Sequence, residues 1–93
     1  MVYVVERYLP GVSGRELERQ LKRLERVTRG TPVQYLGSTI VPDDEACFCH
    51  LEGPSEEAVA EVIRRAGLPF DRIVAAVTLP VGREEIVRKE RTL

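Results

Sequence analysis

The chain has no tryptophan, one methionine, one histidine and two cysteines in 93 residues. With a single imidazole, the inventory for acid–base catalysis is thin. The cysteines, Cys47 and Cys49, are one residue apart, so a disulfide between them would be strained and would restrain the unfolded chain little. No apolar run approaches the roughly 18–20 residues of a membrane-spanning helix. Neither charge sign is in excess: 14 Lys and Arg stand against 15 Asp and Glu, a net of −1. That balance argues against nonspecific nucleic-acid or anionic-membrane binding, and no platform of aromatic and basic residues offers itself to a single strand. Nucleophile elbow, phosphate-cradling glycine loop and dinucleotide fingerprint are all missing, and the glycines stand singly at turns. The opening MVYVVERYLP carries Glu6 and Arg7 without a small-residue cleavage site. The expectation is therefore a cytoplasmic chain with reduced thiols.

What is present suits one folded domain: 43% hydrophobic and 31% charged residues leave too much apolar side chain for disorder. Val2 to Leu9 is a β-branched and aromatic run ended by Pro10-Gly11, which predicts a first strand. Ser13 then stands at an N-cap position with Glu16 three residues on, as in a capping box. Leu17, Leu21, Leu24 and Val27 form one apolar helical stripe. Charges fill the other faces, with Glu18/Lys22 and Glu25/Arg29 at i,i+4 spacing, and Gly30 and Pro32 stop the helix. Val33 to Val41 predicts a second strand, Pro42-Asp43-Asp44-Glu45 a turn, and Ala46 to Glu52 a third strand paired as a hairpin. Ser55 caps a second helix with Ala58, Val59, Val62, Ile63 and Ala66 on one face and Gly67 past its end. Ile73 to Leu79 is a nearly continuous apolar run, read as a buried strand before Pro80 and Gly82.

The order strand, helix, strand, strand, helix, strand is the split βαβ pattern of a ferredoxin-like α+β domain. It predicts a four-stranded antiparallel sheet with both helices on one face, over residues 1–80. Residues 81–93 form a charged tail, a short helix or a frayed end. The uncovered face carries apolar residues too, so a homodimer, a dimeric α/β barrel, is the expectation.

The densest reactive cluster runs from Asp43 to Glu52. Strand alternation puts Cys47, Cys49 and Leu51 on one face and Phe48, His50 and Glu52 on the other. His50 and Glu52 present an imidazole and a carboxylate to one ion, or to each other. The two thiols suit a soft divalent metal but are too few without ligands from elsewhere, such as a second copy. Glu6 and Arg7 read as solvated charges at a strand end.

Three segments resemble a small bacterial family of unknown function that includes a nickel-binding protein. They are Val4-Val5-Glu6-Arg7-Tyr8-Leu9-Pro10-Gly11; Phe48-Cys49 with Glu52, Pro54 and Glu56-Glu57-Ala58; and Arg65-Ala66-Gly67-Leu68-Pro69 with Asp71-Arg72-Ile73. The resemblance implies a cytoplasmic ferredoxin-like dimer without an established catalytic activity. Members often carry histidine at places that hold Tyr8, Gly37 and Val62 in this chain. Cys49 and Glu52 fit the family pattern, whereas His50 is this sequence's own.

The leading reading is a small binding protein whose open-face pocket, lined by Tyr8, Tyr35, Cys49, His50 and Glu52, takes nickel, another divalent transition metal or a small molecule. Cys49, His50 and Glu52 are its metal-ligating residues, with Cys47 in a lesser role. The alternative is a cofactor-free isomerase, decarboxylase or oxygenase. In it His50 is the base, and Tyr8 or Tyr35 donates a hydrogen bond to an enolate-like oxygen. A third reading makes the tail from Arg83 a docking segment.

Overall fold

A computed structural model describes residues 1–79 as strand β1 (Val2–Tyr8), helix α1 (Gly14–Thr28), strands β2 (Gln34–Val41) and β3 (Ala46–Glu52), helix α2 (Glu56–Arg65) and strand β4 (Arg72–Ala76). The charged tail expected over 81–93 lies outside the described residues. The four strands form one antiparallel sheet in the order β2-β3-β1-β4, with both helices against the same face. This is the ferredoxin-like arrangement that the element order predicts. No helix among the described residues is long and apolar enough to cross a membrane.

Local chemistry accounts for the helix ends. The Ser13 hydroxyl accepts a hydrogen bond from the Glu16 amide at 3.1 Å, and the Ser55 hydroxyl one from the Ala58 amide at 3.1 Å, each satisfying a donor the first turn leaves free. The capping box at α1 is only half formed. Glu16 turns its carboxylate to Gln20 and Arg19, each at 3.3 Å, because Gln20 is held in turn by Arg7 of β1. At the end of α2, Gly67 takes a φ of +71°, and the amide of Leu68 reaches back to the Ile63 carbonyl at 3.1 Å.

The core lies between helices and sheet. Val5, Cys47, Cys49 and Leu51 of the sheet meet Leu24 of α1 and Val59, Val62 and Ile63 of α2, with Val33, Ala66 and Leu68 closing the ends. Arg23 of α1 donates to the carbonyl of Ala66 at 2.7 Å and so ties the two helices together. The turn after β2 is a 3-10 turn at Pro42–Asp44 followed by Glu45 in the left-handed region. The Glu45 carboxylate accepts from the amide of Gly11 at 2.7 Å, pinning the hairpin to the exit of β1.

Two expectations are corrected. The last strand stops at Ala76, and Val77 and Leu79 are exposed, because Ala76 already pairs with Val2 and β1 has nothing beyond to bond. Being an edge strand with one open face, β4 is half-buried rather than buried. Arg7 is not a solvated strand end: it is 1% exposed, because the alternation that sends Val5 inward sends Arg7 inward as well.

Gly53 leaves β3 where a Cβ would come within 3.1 Å of Val59 Cγ2 and 3.3 Å of Val33 Cγ2. Both neighbours are buried core residues with no free space to yield into. Gly53→Ala is expected to lower stability by about 1–3 kcal/mol, the usual cost of overpacking, in a urea unfolding curve with unchanged slope.

Candidate functional site

The pleat divides the reactive residues of this domain into two sets that cannot meet. On the open face, β1 contributes Val2, Val4, Glu6 and Tyr8, and β3 contributes Ala46, Phe48, His50 and Glu52, in direct register as Val2–Glu52, Val4–His50, Glu6–Phe48 and Tyr8–Ala46. Val74 and Ala76 of β4 continue the surface beside Val4 and Val2. Most of these residues are half-buried, with Tyr8 and Glu52 exposed. Glu6 and Arg72 close one end with a 2.8 Å ion pair. His50 is bonded through Nε2 to the Thr39 hydroxyl at 3.2 Å rather than to Glu52. Across the strand from it stands Gly37, next to a register shift in β2 and at a φ of +124°, which a side chain would strain.

The helix side holds a different and more deeply buried chemistry. Cys47 and Cys49 are both buried, with their sulfurs 3.7 Å apart. The Ser38 hydroxyl donates to Cys49 Sγ at 3.2 Å, and Ser38 is itself in a short hydrogen bond with the Tyr35 hydroxyl. Arg7 pairs across the strands with Cys47. Its Nε donates to the Pro69 carbonyl at 2.9 Å and its Nη2 to Gln20 Oε1 at 2.7 Å, while Nη1 is buried without a partner. The hydrogen bond from Cys47 draws the Cys49 thiol down, to about 6, against the opposing effect of burial, and the Ser38 hydroxyl and the Arg7 charge draw it further the same way. Donating that bond, and being buried, pushes the Cys47 thiol up. Burial raises Tyr35 as well. The Cys49 thiol is thus drawn toward its charged form and the Cys47 thiol away from it.

The pocket expected from Tyr8, Tyr35, Cys49, His50 and Glu52 is therefore not one pocket. Tyr35 and Cys49 face the helices, while Tyr8, His50 and Glu52 face away from them. Tyr8 is four residues along β1 from the partner of His50, about 13 Å at strand rise. Among the described residues, no three His, Cys, Asp or Glu side chains gather around one point. A cavity of about 330 Å³ opens between the start of α1 and the β2–β3 hairpin, lined by Leu9, Val12, Leu17, Ile40 and Cys47 among others. A second, of about 290 Å³, follows the flank of α1 past Tyr35. His50 lines neither.

Residues 3–75 match a family model described as nickel responsive protein SCO4226-like. The chain belongs to the SCO4226-like family. The crystal structure of SCO4226 from Streptomyces coelicolor A3(2) superposes with a TM-score of 0.75 at 24% identity, over 84% of this chain and 98% of that one. At that identity the likeness shows a shared fold. A comparison with curated proteins finds no match.

Within this SCO4226-like domain, the residue that sequence reasoning missed is Arg7. The signal was available: a charge at the inward phase of a strand, two places after Val5 and two before Leu9. Ser38 is a second such residue, and its contact with Cys49 follows from the register of β2 on β3.

Because the folded Cys49 thiol titrates below an ordinary thiol, it contributes stability that is complete above the unfolded pKa of about 8.5 and is lost as the pH falls through about 6. The stability advantage of the wild type over Cys49→Ser is expected to shrink as the pH is lowered from about 8 to about 5, in paired urea titrations at each pH. An advantage that stays constant or widens on acidification contradicts a lowered Cys49 thiol.

Proposed function

We propose that this protein is a small homodimeric metal-binding protein, whose two open sheet faces close on one another around a divalent transition metal, nickel foremost. The observation that carries the reading is the place of His50. It stands directly across from Gly37, one of the places where the family resemblance of the sequence implies histidine. The backbone of Gly37 disfavours any side chain, so an imidazole for that part of the sheet has to come from the neighbouring strand, and His50 supplies it. Glu52 is two residues further along the same face and adds a hard oxygen donor.

One copy supplies an imidazole and a carboxylate, too few to hold such an ion by themselves. A second copy related by a two-fold axis doubles the set, and the half-buried stripe of Val2, Val4, Phe48, Val74 and Ala76 is the apolar surface over which two copies would pack. The family description as nickel responsive supports the choice of metal. The enzyme reading has less behind it, since it needs a water-excluding cavity around His50 and the two cavities described among residues 1–79 lie on the other side of the sheet.

The test is the melting temperature of tag-free protein with and without excess nickel, beside His50→Ala. A ligand at about a hundred times its dissociation constant adds about 2.7 kcal/mol, which for a domain of this size raises Tm by roughly 10–20 °C. That rise is expected in the wild type and not in His50→Ala. No rise in the wild type, or an equal rise in both proteins, overturns the site.

A further inference from the structure

Arg7 presents an unresolved charge balance. Its guanidinium is buried, it makes no ion pair among the described residues, and one of its two terminal nitrogens has no hydrogen-bond partner. It touches a carboxylate only indirectly, through the amide of Gln20 to Glu16. Burying such a cation costs several kcal/mol unless an anion or a full set of hydrogen bonds offsets it. The groups facing it from the adjacent strand are Cys47, its cross-strand partner, and Cys49 two residues further along the same face. Two sulfurs 3.7 Å apart, both on the inner face, lie close enough to bind one ion together. Cys47 also lines the cavity between α1 and the β2–β3 hairpin, which gives an ion a way in.

We propose that Cys47 and Cys49 form a buried two-sulfur site for a soft monovalent metal ion of the cuprous type, with Arg7 as its fixed counter-charge. Thiolates select soft ions, and a monovalent d10 ion is content with two of them. On binding, the ion forms one bond to each sulfur as a thiolate, the proton shared by the pair leaves for water, and no electron is transferred. Two thiolates, one monovalent ion and one guanidinium then sum to zero charge in a site that excludes water. A divalent ion on the same two sulfurs would leave a buried positive charge, and this is what separates the site from the open face, where hard donors and a second copy are required. Ser38 holds Cys49 from the β2 side, opposite Arg7 on β1, and Tyr35 holds Ser38, so the position of Cys49 is set before the ion arrives.

The experiment is an anaerobic titration of the full-length protein with cuprous ion in competition with a colorimetric cuprous chelator. The wild type is expected to withdraw one ion per chain. Cys47→Ser and Cys49→Ser are each expected to lose at least about 100-fold in affinity, and Arg7→Gln about 10-fold, the scale of losing an outer-shell partner. His50→Ala is expected to bind as the wild type does, which keeps this outcome separate from that of the nickel site. Because a serine variant can fail to fold, X-ray absorption of the loaded wild type provides a second reading, expected to show two sulfurs and no nitrogen in the first shell. No stoichiometric uptake by the folded wild type, uptake that survives in folded cysteine variants, or nitrogen in the first shell overturns the proposal.

Discussion

The guanidinium of Arg7 lies where β1, α1 and the segment after α2 come together, and it bonds to two of them. Through Nη2 it holds Gln20 of α1, and through Nε it holds the carbonyl of Pro69, so one side chain sets how both helical units sit on the central strand. The surface ion pairs of α1 and α2 are exposed on both sides and contribute little by comparison. A buried arginine is a demanding foundation. Its hydrogen bonds have to be kept, and its charge calls for negative potential nearby. Cys47 and Cys49 are the groups that face it from β3, and the Arg7 charge is one of several influences that lower the Cys49 thiol, after the hydrogen bond from Cys47 and with that from Ser38.

The pleat of β1 and β3 then decides what can cooperate. Successive residues alternate between an inner face sealed by helices and an outer face that is only half-covered. The inner face gathers Arg7, Cys47, Cys49, Ser38 and Tyr35 into a connected polar seam inside an otherwise apolar core. The outer face combines valines, two alanines and a phenylalanine with one imidazole and two carboxylates, of which Glu6 is paired to Arg72 and Glu52 is not, a surface suited to a second copy and to hard or borderline ligands. Sulfur on one side and imidazole on the other give this domain two chemically distinct surfaces separated by the thickness of a sheet.

Much of this was legible from residue order. Helix caps at Ser13 and Ser55, the stop at Gly67, the hairpin around Pro42 and the limits of β3 follow from local steric and hydrogen-bonding preferences that need no tertiary partner. The facing of Cys47 and Cys49 away from His50 follows from the two-residue period alone. The end of β4 was not legible, because Val77-Thr78-Leu79 is apolar and β-branched enough to extend a strand, and only the lack of a partner on β1 ends it. Glu16 has the right spacing for a capping box, yet its carboxylate is drawn to Gln20 by a contact that begins on another element.

Residue order alone therefore settled the elements, their sequence along the chain, the ferredoxin-like class and the division of β3 into two faces, since each depends on interactions within a few residues or on a fixed geometric period. Tertiary structure decided the burial of Arg7, the approach of Ser38 to Cys49, the opposition of His50 and Gly37, and the placing of the cavities on the side of the thiols. Each of these depends on the register of β2 and β1 against β3 and on how closely the helices cover the sheet. A register is chosen by the summed packing of whole strands, so no short stretch of sequence contains it.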